Sequence, residues 1–325
     1  MTDILAGPQA IALGVDRLSN DQLVAFPTET VYGLGANALS SDAVDRVFAL
    51  KGRPATNPLI VHVVDIDMAK SVVAHWPDEA QQIAKAFWPG PITLVLPKAD
   101  SIPANVCANG STIAVRCPNH PCALALIESF AKPIVGPSAN PSGRISPTTP
   151  EHVADGFPNA DLLIVDGGHC RAGIESTVVD LSTDRVRILR PGIIGAHAIS
   201  ECISQAVDCG TLNADESSAK SPGIIGAHYQ PIIPTKLVET SSLHTATQST
   251  ALIAWSINTH PAAGTFIPIS SSLADYASSI YNALHQADKH AHDSIWIEHP
   301  PVALNPDDQA IRAAVLERLT RATHA

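Results

Sequence analysis

The sequence predicts an α+β protein: a mixed, twisted sheet with flanking helices, followed by a smaller α/β, Rossmann-like C-terminal domain. Three observations carry this prediction. Short apolar runs recur from residue 23 to residue 189, helical periodicity separates only some of them, and the runs after residue 162 follow one another across polar turns, which suits antiparallel pairing. The strict strand–helix alternation of a doubly wound sheet is therefore broken.

In chain order, a helix over 8–18 precedes a strand at 23–26, a helix over 42–50 precedes a strand at 59–64, and a helix over 78–87 precedes a strand at 92–96. A strand at 112–115, a helix over 121–131 and a strand at 133–135 follow. The next helix, 150–154, opens with Thr149 as N-cap and Pro150 at the first helical position, where a missing N–H costs nothing. Strands at 162–165, 177–181 and 186–189 complete the sheet, and a helical stretch over 195–207 closes a first domain spanning 1–209. Residues 208–219 are poor in large apolar side chains and rich in Ser, Asp and Glu, so they read as an exposed linker. The run SPGIIGAHYQPIIP at 221–234 reads as a structured loop, and 210–234 together join the two domains. The second domain, 235–325, has strands at 250–256 and 294–298 and helices at 273–289 and 307–323.

Hydrophobic residues make up 45% of the 325 and charged residues 16%, which suits a buried core and excludes a disordered or fibrous chain. No apolar run reaches the ~18–20 residues needed to span a bilayer, and residues 1–5 show no basic-then-apolar leader. The expectation is a cytoplasmic protein with no membrane partner. Six cysteines (Cys107, Cys117, Cys122, Cys170, Cys202, Cys209) lie in no CxxC pair and read as reduced thiols. Twenty Lys and Arg against 31 Asp and Glu give a net charge of −11, which disfavours a broad basic surface for coating nucleic acid. A local cationic pocket remains compatible with that sum.

The few basic residues are placed in a pattern. Lys51 and Arg53 in KGRP, Arg116 in TIAVRCP, Arg144 in SGRISP and Arg190 in ILRPG follow or end apolar strands. Loops at strand ends hold side chains on a rigid rim, where guanidinium groups can grip phosphate or carboxylate through two donors. Any one of them alone reads as a solvated loop charge. Taken with the hydroxyl and amide groups of Thr28, Thr30, Asn57, Thr112, Ser138, Asn140, Ser142, Ser146, Ser176 and Thr177, they point to a site for a polyanion beside an amino acid.

Other motifs are weaker. Gly33-Leu34-Gly35-Ala36-Asn37-Ala38 satisfies GxGxx(G/A), but the next helical pattern starts near Asp42 and no acidic residue ends a second strand about twenty residues on, so a nicotinamide site is disfavoured. No phosphate loop of the GxxxxGK(S/T) type and no nucleophile elbow is present. His290 and His292 lack a third ligand at metal-binding spacing. His62, in LIVHVVD, reads as a structural or a functional histidine, and Glu29 and Glu175 as general bases or as caps of backbone donors.

With these residues in view, the chain resembles the YrdC-like family, and within it the longer two-domain members. The resemblance rests on FPTETVYGLGANA, KGRPATNPLIVHV, FWPGPITLVL, TIAVRCPNHP, PIVGPSANPSGRISPT, DGGHCRAGIESTVVDL and ILRPG, in order over roughly residues 20–192. It implies a nucleotidyltransferase that makes L-threonylcarbamoyladenylate from L-threonine, bicarbonate and ATP. Pyrophosphate is released, and a downstream tRNA threonylcarbamoyl transferase uses the product to form threonylcarbamoyladenosine beside the anticodon. It further implies Thr30, His62, Arg116, Gly136 and Ser176 as the threonine pocket. Arg53, Asn57, Thr112, Ser138, Ser146, Arg190 and His228 are the implied ATP contacts, and Lys51 and Arg53 lie beside the reacting groups. Mg2+ is expected to accompany ATP, with no tightly bound cofactor and no metal ligands assigned; a weak direct tRNA contact stays open. The loop 221–234 is expected to fold over the cleft as a lid. Two other readings remain: a non-catalytic RNA-binding protein of the same fold, and a carbamoyltransferase using carbamoyl phosphate.

Overall fold

In the computed structural model, which describes residues 2–209, 228–260, 262–290 and 292–323, the apolar runs pair into a ten-stranded mixed sheet and a separate four-stranded one. The large sheet contains β1 (Asp3–Ala6), β2 (Val24–Phe26), β3 (Gly33–Asn37), β4 (Ile60–His62), β5 (Ile92–Pro97), β6 (Thr112–Arg116), β7 (Ile134–Val135), β8 (Leu163–Asp166), β9 (Thr177–Asp180) and β10 (Arg187–Arg190). Their spatial order is β1-β8-β2-β3-β7-β4-β6-β5-β9-β10. Parallel neighbours such as β4–β6 and β5–β9 sit beside antiparallel ones such as β4–β7 and β9–β10, so the sheet is mixed as expected.

Helices α1 (Gly7–Ser19), α2 (Ser41–Lys51), α3 (Ile66–Val72), α4 (Asp78–Phe87), α5 (Pro121–Phe130), α6 (Pro150–Gly156) and α7 (Ala196–Ile203) flank it. Ser40 opens α2 by accepting the Ala43 N–H, and Gly52 closes it in the left-handed conformation at φ +60, which delivers Lys51 and Arg53 to a tight turn. Thr149 caps α6 by accepting the His152 N–H, with Pro150 at the start.

The pleat gives the sheet two different faces. Val61, Ile113, Val115 and Leu94 point into the main core beneath the helices. The alternate residues Ile60, Ala114, Val178 and Val95 form a small apolar floor on the opposite face together with Leu189. His62 and Arg116, two residues on from Ile60 and Ala114, share that second face.

The second domain is an all-parallel sheet of β11 (Thr235–Val238), β12 (Thr250–Ala254), β13 (Thr265–Pro268) and β14 (Ser294–Glu298) in the order β11-β14-β12-β13, packed by α8 (Leu273–Asp288) and α9 (Pro306–Ala322). Its core is shared with the first domain, because Val31, Ile145, Ile174 and Tyr229 belong to the same buried cluster as Tyr276, Tyr281 and Val315. Gly173, at φ +72, makes the contact close: a Cβ there would lie 2.4 Å from the Ser278 carbonyl of α8.

Several elements depart from the sequence expectation. β1, β3, α3, β11 and β13 were not anticipated, since a glycine- and alanine-rich run such as GLGAN lacks the β-branched signal of a strand. β8 pairs in parallel with β1 and β2, which leaves β9–β10 as the antiparallel pair among the last three strands. All six cysteines are free, and among the described residues no helix is long and apolar enough to cross a membrane.

Between the domains, the His152 ring of α6 stacks on His285 of α8 with centroids 3.8 Å apart. Burial, then the neighbouring His285, Lys289 and His169, lowers His152 to about 3. Burial lowers His285 to about 4 against the opposing pull of the Ser146 carbonyl and of Asp288 and Asp155, with Lys289 adding to the lowering. The unfolded chain takes up protons at these rings where the folded one does not. Their contribution to stability is whole above pH 6.5 and is lost as the pH falls toward the folded values. Denaturant midpoints are expected to drop between about pH 7 and about pH 4.5, and to drop less in His285→Gln. Equal slopes in the two proteins would remove the stacked pair as the cause.

Candidate active site

On the open face of the large sheet, Thr30, Arg53, His62, Arg116, Gly136, Ser138, Arg190 and His228 line one cavity of about 60 Å³, joined by Val31, Ile60, Pro137, Glu175 and Tyr229. Strand register brings them there. The parallel pairing of β4 with β6 sets His62 beside Arg116. Antiparallel β7 places Gly136 just past its ladder pairs, where its N–H donates to the Ile60 carbonyl at 2.9 Å. A Cβ at Gly136 would lie 2.7 Å from the Phe26 ring and 2.8 Å from the His62 ring, so glycine is what lets the imidazole lie over this strand.

At one end of the cavity polar groups are buried and incompletely paired. Arg116 is 3% exposed, and its Nη2 lies 2.8 Å from Oε2 of Glu29, which also accepts the Asn119 N–H at 2.9 Å. The Arg116–Glu29 contact is an ion pair off the hydrogen-bond axis. Arg116 Nε and Nη2, Glu29 Oε1 and His62 Nδ1 have no hydrogen-bond partner among the described residues. Burial, with the repulsion of Arg116, holds His62 well below its usual value despite the opposing Ile60 carbonyl, so the ring is neutral. Unpartnered buried donors and acceptors are costly, and this group can satisfy a small ligand bearing both a carboxylate and an amine.

The other end is cationic. Arg53 Nη2 donates to the Pro58 carbonyl at 3.0 Å; burial, opposed by Tyr229 and aided by Arg190, lowers its pKa to about 10, which leaves it charged at neutral pH. Arg190 donates from Nη2 to the carbonyl and Oγ of Ser176, at 2.9 and 3.1 Å.

The remaining residues expected at the site stand behind or beside this wall. Ser176 Oγ lies 2.7 Å from Thr93 Oγ1 and supports Arg190 from the rear. Ser146 Oγ donates to Glu175 Oε1 at 2.7 Å. Asn57 is buried in the turn before β4, and Thr112 falls on the cleft face of β6 at the end opposite Arg116. Lys51 departs most from expectation. It is 3% exposed, and its Nζ donates to the carbonyls of Ser138 and Asn140, so it tethers the loop that carries Ser138 rather than facing the cavity. Burial and then Arg53 depress its pKa well below the usual lysine value.

Sequence reasoning left the role of Glu175 open and missed two of its partners. Tyr281 donates its hydroxyl to Glu175 Oε2 at 3.0 Å, and Arg318 Nε reaches the same oxygen at 3.3 Å. Both sit inside ordinary amphipathic helices more than a hundred residues away, so no local signal marks them. Within the loop expected as a lid, residues 221–227 lie outside the described residues. His228 and Tyr229 line the cavity, and Tyr229 is 4% exposed with φ +65.

A cationic cleft on the face of a mixed sheet, ending in a buried corner suited to an amino acid, defines an α/β protein whose site has the chemistry for an anionic ligand next to a small zwitterion. Residues 16–192 match the Sua5/YciO/YrdC family model, described as telomere recombination, and residues 194–324 match the threonylcarbamoyl-AMP synthase C-terminal domain. The chain belongs to the Sua5/YciO/YrdC family, in the form that carries this C-terminal domain. It is 38% identical over 326 residues to threonylcarbamoyl-AMP synthase of Bacillus subtilis, covering 96% of this chain and 92% of that one. It is 44% identical over 230 residues to threonylcarbamoyl-AMP synthase of Pyrococcus abyssi, covering 70% and 68%. The crystal structure of P. abyssi Sua5 complexed with L-threonine superposes with a TM-score of 0.86 at 33% identity, covering 99% of this chain and 97% of that one.

Three substitutions separate structural from ligand-facing roles. Gly136→Ala is expected to push the His62 ring aside and to cost about 1–3 kcal/mol in a denaturation experiment, the usual range for overpacking. Lys51→Met is expected to lower the melting temperature as well as ligand affinity, because it frees two buried carbonyls, whereas Arg53→Ala, which frees the Pro58 carbonyl beside a half-buried side chain, lowers affinity with a smaller drop in melting temperature. A melting curve of Lys51→Met that coincides with wild type would contradict the tethering role of Lys51.

Proposed function

We propose that this chain synthesises L-threonylcarbamoyladenylate from L-threonine, bicarbonate and ATP. It releases pyrophosphate and hands the product to a tRNA threonylcarbamoyl transferase for modification next to the anticodon. The supporting observation is a continuous track on one face of β4 and β6, from the incompletely hydrogen-bonded Arg116–Glu29–His62 corner to Arg53 and Arg190. Relatives named for this reaction cover most of the chain. Thr112 and Arg116 are four residues apart on β6, about 13 Å at strand rise, so this face extends well beyond the amino-acid corner.

In this reading Arg116 takes the threonine carboxylate, and Thr30, neutral His62, Gly136 and Ser176 shape the rest of the pocket. Arg53, Ser138, Arg190 and His228 meet the triphosphate, Ser146 reaches it only on turning from Glu175, and Asn57 and Thr112 extend the track toward the nucleoside. The threonine amine captures carbon dioxide or bicarbonate as a carbamate, whose oxygen attacks the α-phosphorus of ATP in line. The α-phosphorus–oxygen bond to the β-phosphate breaks and pyrophosphate leaves. No enzyme nucleophile is needed; the chain supplies orientation and positive charge for the transferring phosphoryl oxygens. Two unit charges ~4 Å apart interact by about 4 kcal/mol at an effective dielectric of ~20, enough to change a rate by orders of magnitude. Mg2+ enters with ATP as part of the substrate.

Residues 1–209 form the catalytic domain in this reading, 210–234 the linker and interdomain loop, and 235–325 an accessory domain. Its parallel sheet and flanking helices favour a Rossmann-like description, although β11-β14-β12-β13 is not the usual dinucleotide-binding order. The tRNA pathway favours a cytoplasmic setting. A cavity of about 60 Å³ is far below the ~300–1,000 Å³ of ligand pockets, so Tyr229 must withdraw for substrates to enter and return to exclude water.

Purified protein mixed with the three substrates and magnesium is expected to yield threonylcarbamoyl-adenylate by mass spectrometry, with one pyrophosphate per product. Arg53→Ala is expected to reduce the rate about a hundredfold or more. Salt-sensitive tRNA binding with no threonine-dependent consumption of ATP would instead favour the RNA-binding reading.

A further inference from the structure

A carboxylate on the wall of a cleft for triphosphate calls for an explanation. Glu175 lines the cavity beside Arg190 and is 8% exposed. A buried anion in that place repels phosphate unless something offsets it. Both of its oxygens are held from behind. Oε1 accepts from Ser146 Oγ at 2.7 Å, and Oε2 accepts from the Tyr281 hydroxyl of α8 at 3.0 Å and from Arg318 Nε of α9 at 3.3 Å. Arg318 is 1% exposed and is fixed in turn by donating from Nη1 to the Pro191 carbonyl at 2.6 Å and to Glu317 Oε2 at 3.1 Å. The Tyr281 ring stacks on Tyr229, the residue that closes the cavity, at 5.5 Å. Burial alone would raise the Glu175 pKa; Arg318, Arg190 and the Ser146 hydroxyl outweigh it and hold the group ionised.

Building on the functional reading above, we propose that Arg318 and Tyr281 of the C-terminal domain are positioning residues for ATP. They satisfy Glu175 from outside the cleft, so that Ser146 keeps its orientation and Arg190 remains available to the triphosphate. Without Arg318, the nearest cation left to compensate Glu175 is Arg190 itself. Arg190 would then be drawn off its bonds to Ser176 toward the carboxylate, and its charge would be lost to the incoming phosphates. The threonine carboxylate, bound at the Arg116–Glu29 end, touches this circuit only through Ser176, which Arg190 holds. The C-terminal domain is thus wired first to the nucleotide and only indirectly to threonine.

The test uses the full chain, with binding of a non-hydrolysable ATP analogue measured by calorimetry and the KM for threonine as control. Arg318→Met is expected to weaken analogue binding about tenfold or more and to leave the threonine KM within about twofold. The double variant Glu175→Gln with Arg318→Met is expected to recover most of the lost affinity, because removing the charge removes the need for its partner. A role in packing alone predicts no such rescue, since glutamine at 175 returns nothing to α9. Wild-type affinity in folded Arg318→Met, or a double variant no better than the single one, overturns the proposal. Should Arg318→Met fail to fold, Tyr281→Phe keeps the ring on Tyr229 and deletes one hydrogen bond to Glu175; about threefold weaker analogue binding is expected, and unchanged affinity overturns the proposal. A wild-type protein that binds the analogue but never forms the adenylate would sink the functional reading instead.

Discussion

Gathering like charges in a space that excludes water is the constraint on which the rest of this structure depends. Arg53, Arg116, Arg190 and Lys51 are brought together at buried or half-buried positions, and Lys51, Arg53 and Arg190 carry both a desolvation cost and repulsion from a neighbouring cation. The fold offsets these with carbonyl oxygens and two carboxylates. Lys51 is held by Ser138 and Asn140, Arg53 by Pro58, Arg190 by Ser176 and Arg116 by Glu29. A sheet face with an apolar floor is a rigid place to build such an arrangement, because its pleat sends one set of side chains into the core and the next into the cleft.

The same constraint gives the second domain a physical reason to be where it is. Its hydrophobic core runs into the first domain through Val31, Ile145, Ile174 and Tyr229, so the cleft is roofed by a continuous packed cluster rather than by a loose contact. Its polar contribution is narrower. Arg318 and Tyr281 converge on Glu175, and His285 lies against the Ser146 carbonyl at 3.2 Å. Glu175 on the cavity wall and Ser146 behind it are therefore braced by side chains of the second domain.

Much of the site could be read from local motifs. Arg53 follows a capped helix that ends in a left-handed glycine, His62 and Arg116 end neighbouring strands, and Arg190 ends β10; each stands where a strand or helix visibly stops. Lys51 looked the same on paper, yet its side chain turns inward to tie down a loop, a distinction that only burial and partners make. Ser146 and Ser176 read as ligand hydroxyls, but in this closed arrangement their oxygens are spent on Glu175 and Arg190. Strands built from glycine and alanine, such as β3, escaped notice because their stability comes from neighbours rather than from their own side chains.

From the sequence alone came the mixed sheet, the Thr149 cap of α6 and the set of cations at strand ends. Apolar periodicity and capping chemistry act over a few residues and leave their mark in composition. The tertiary structure decided which strand lies beside which, which face of each strand meets the cleft, and which distant helix supplies the partner of a buried carboxylate. Those depend on contacts between residues such as Glu175 and Arg318, separated by 143 positions, and no short-range pattern encodes a pairing at that distance.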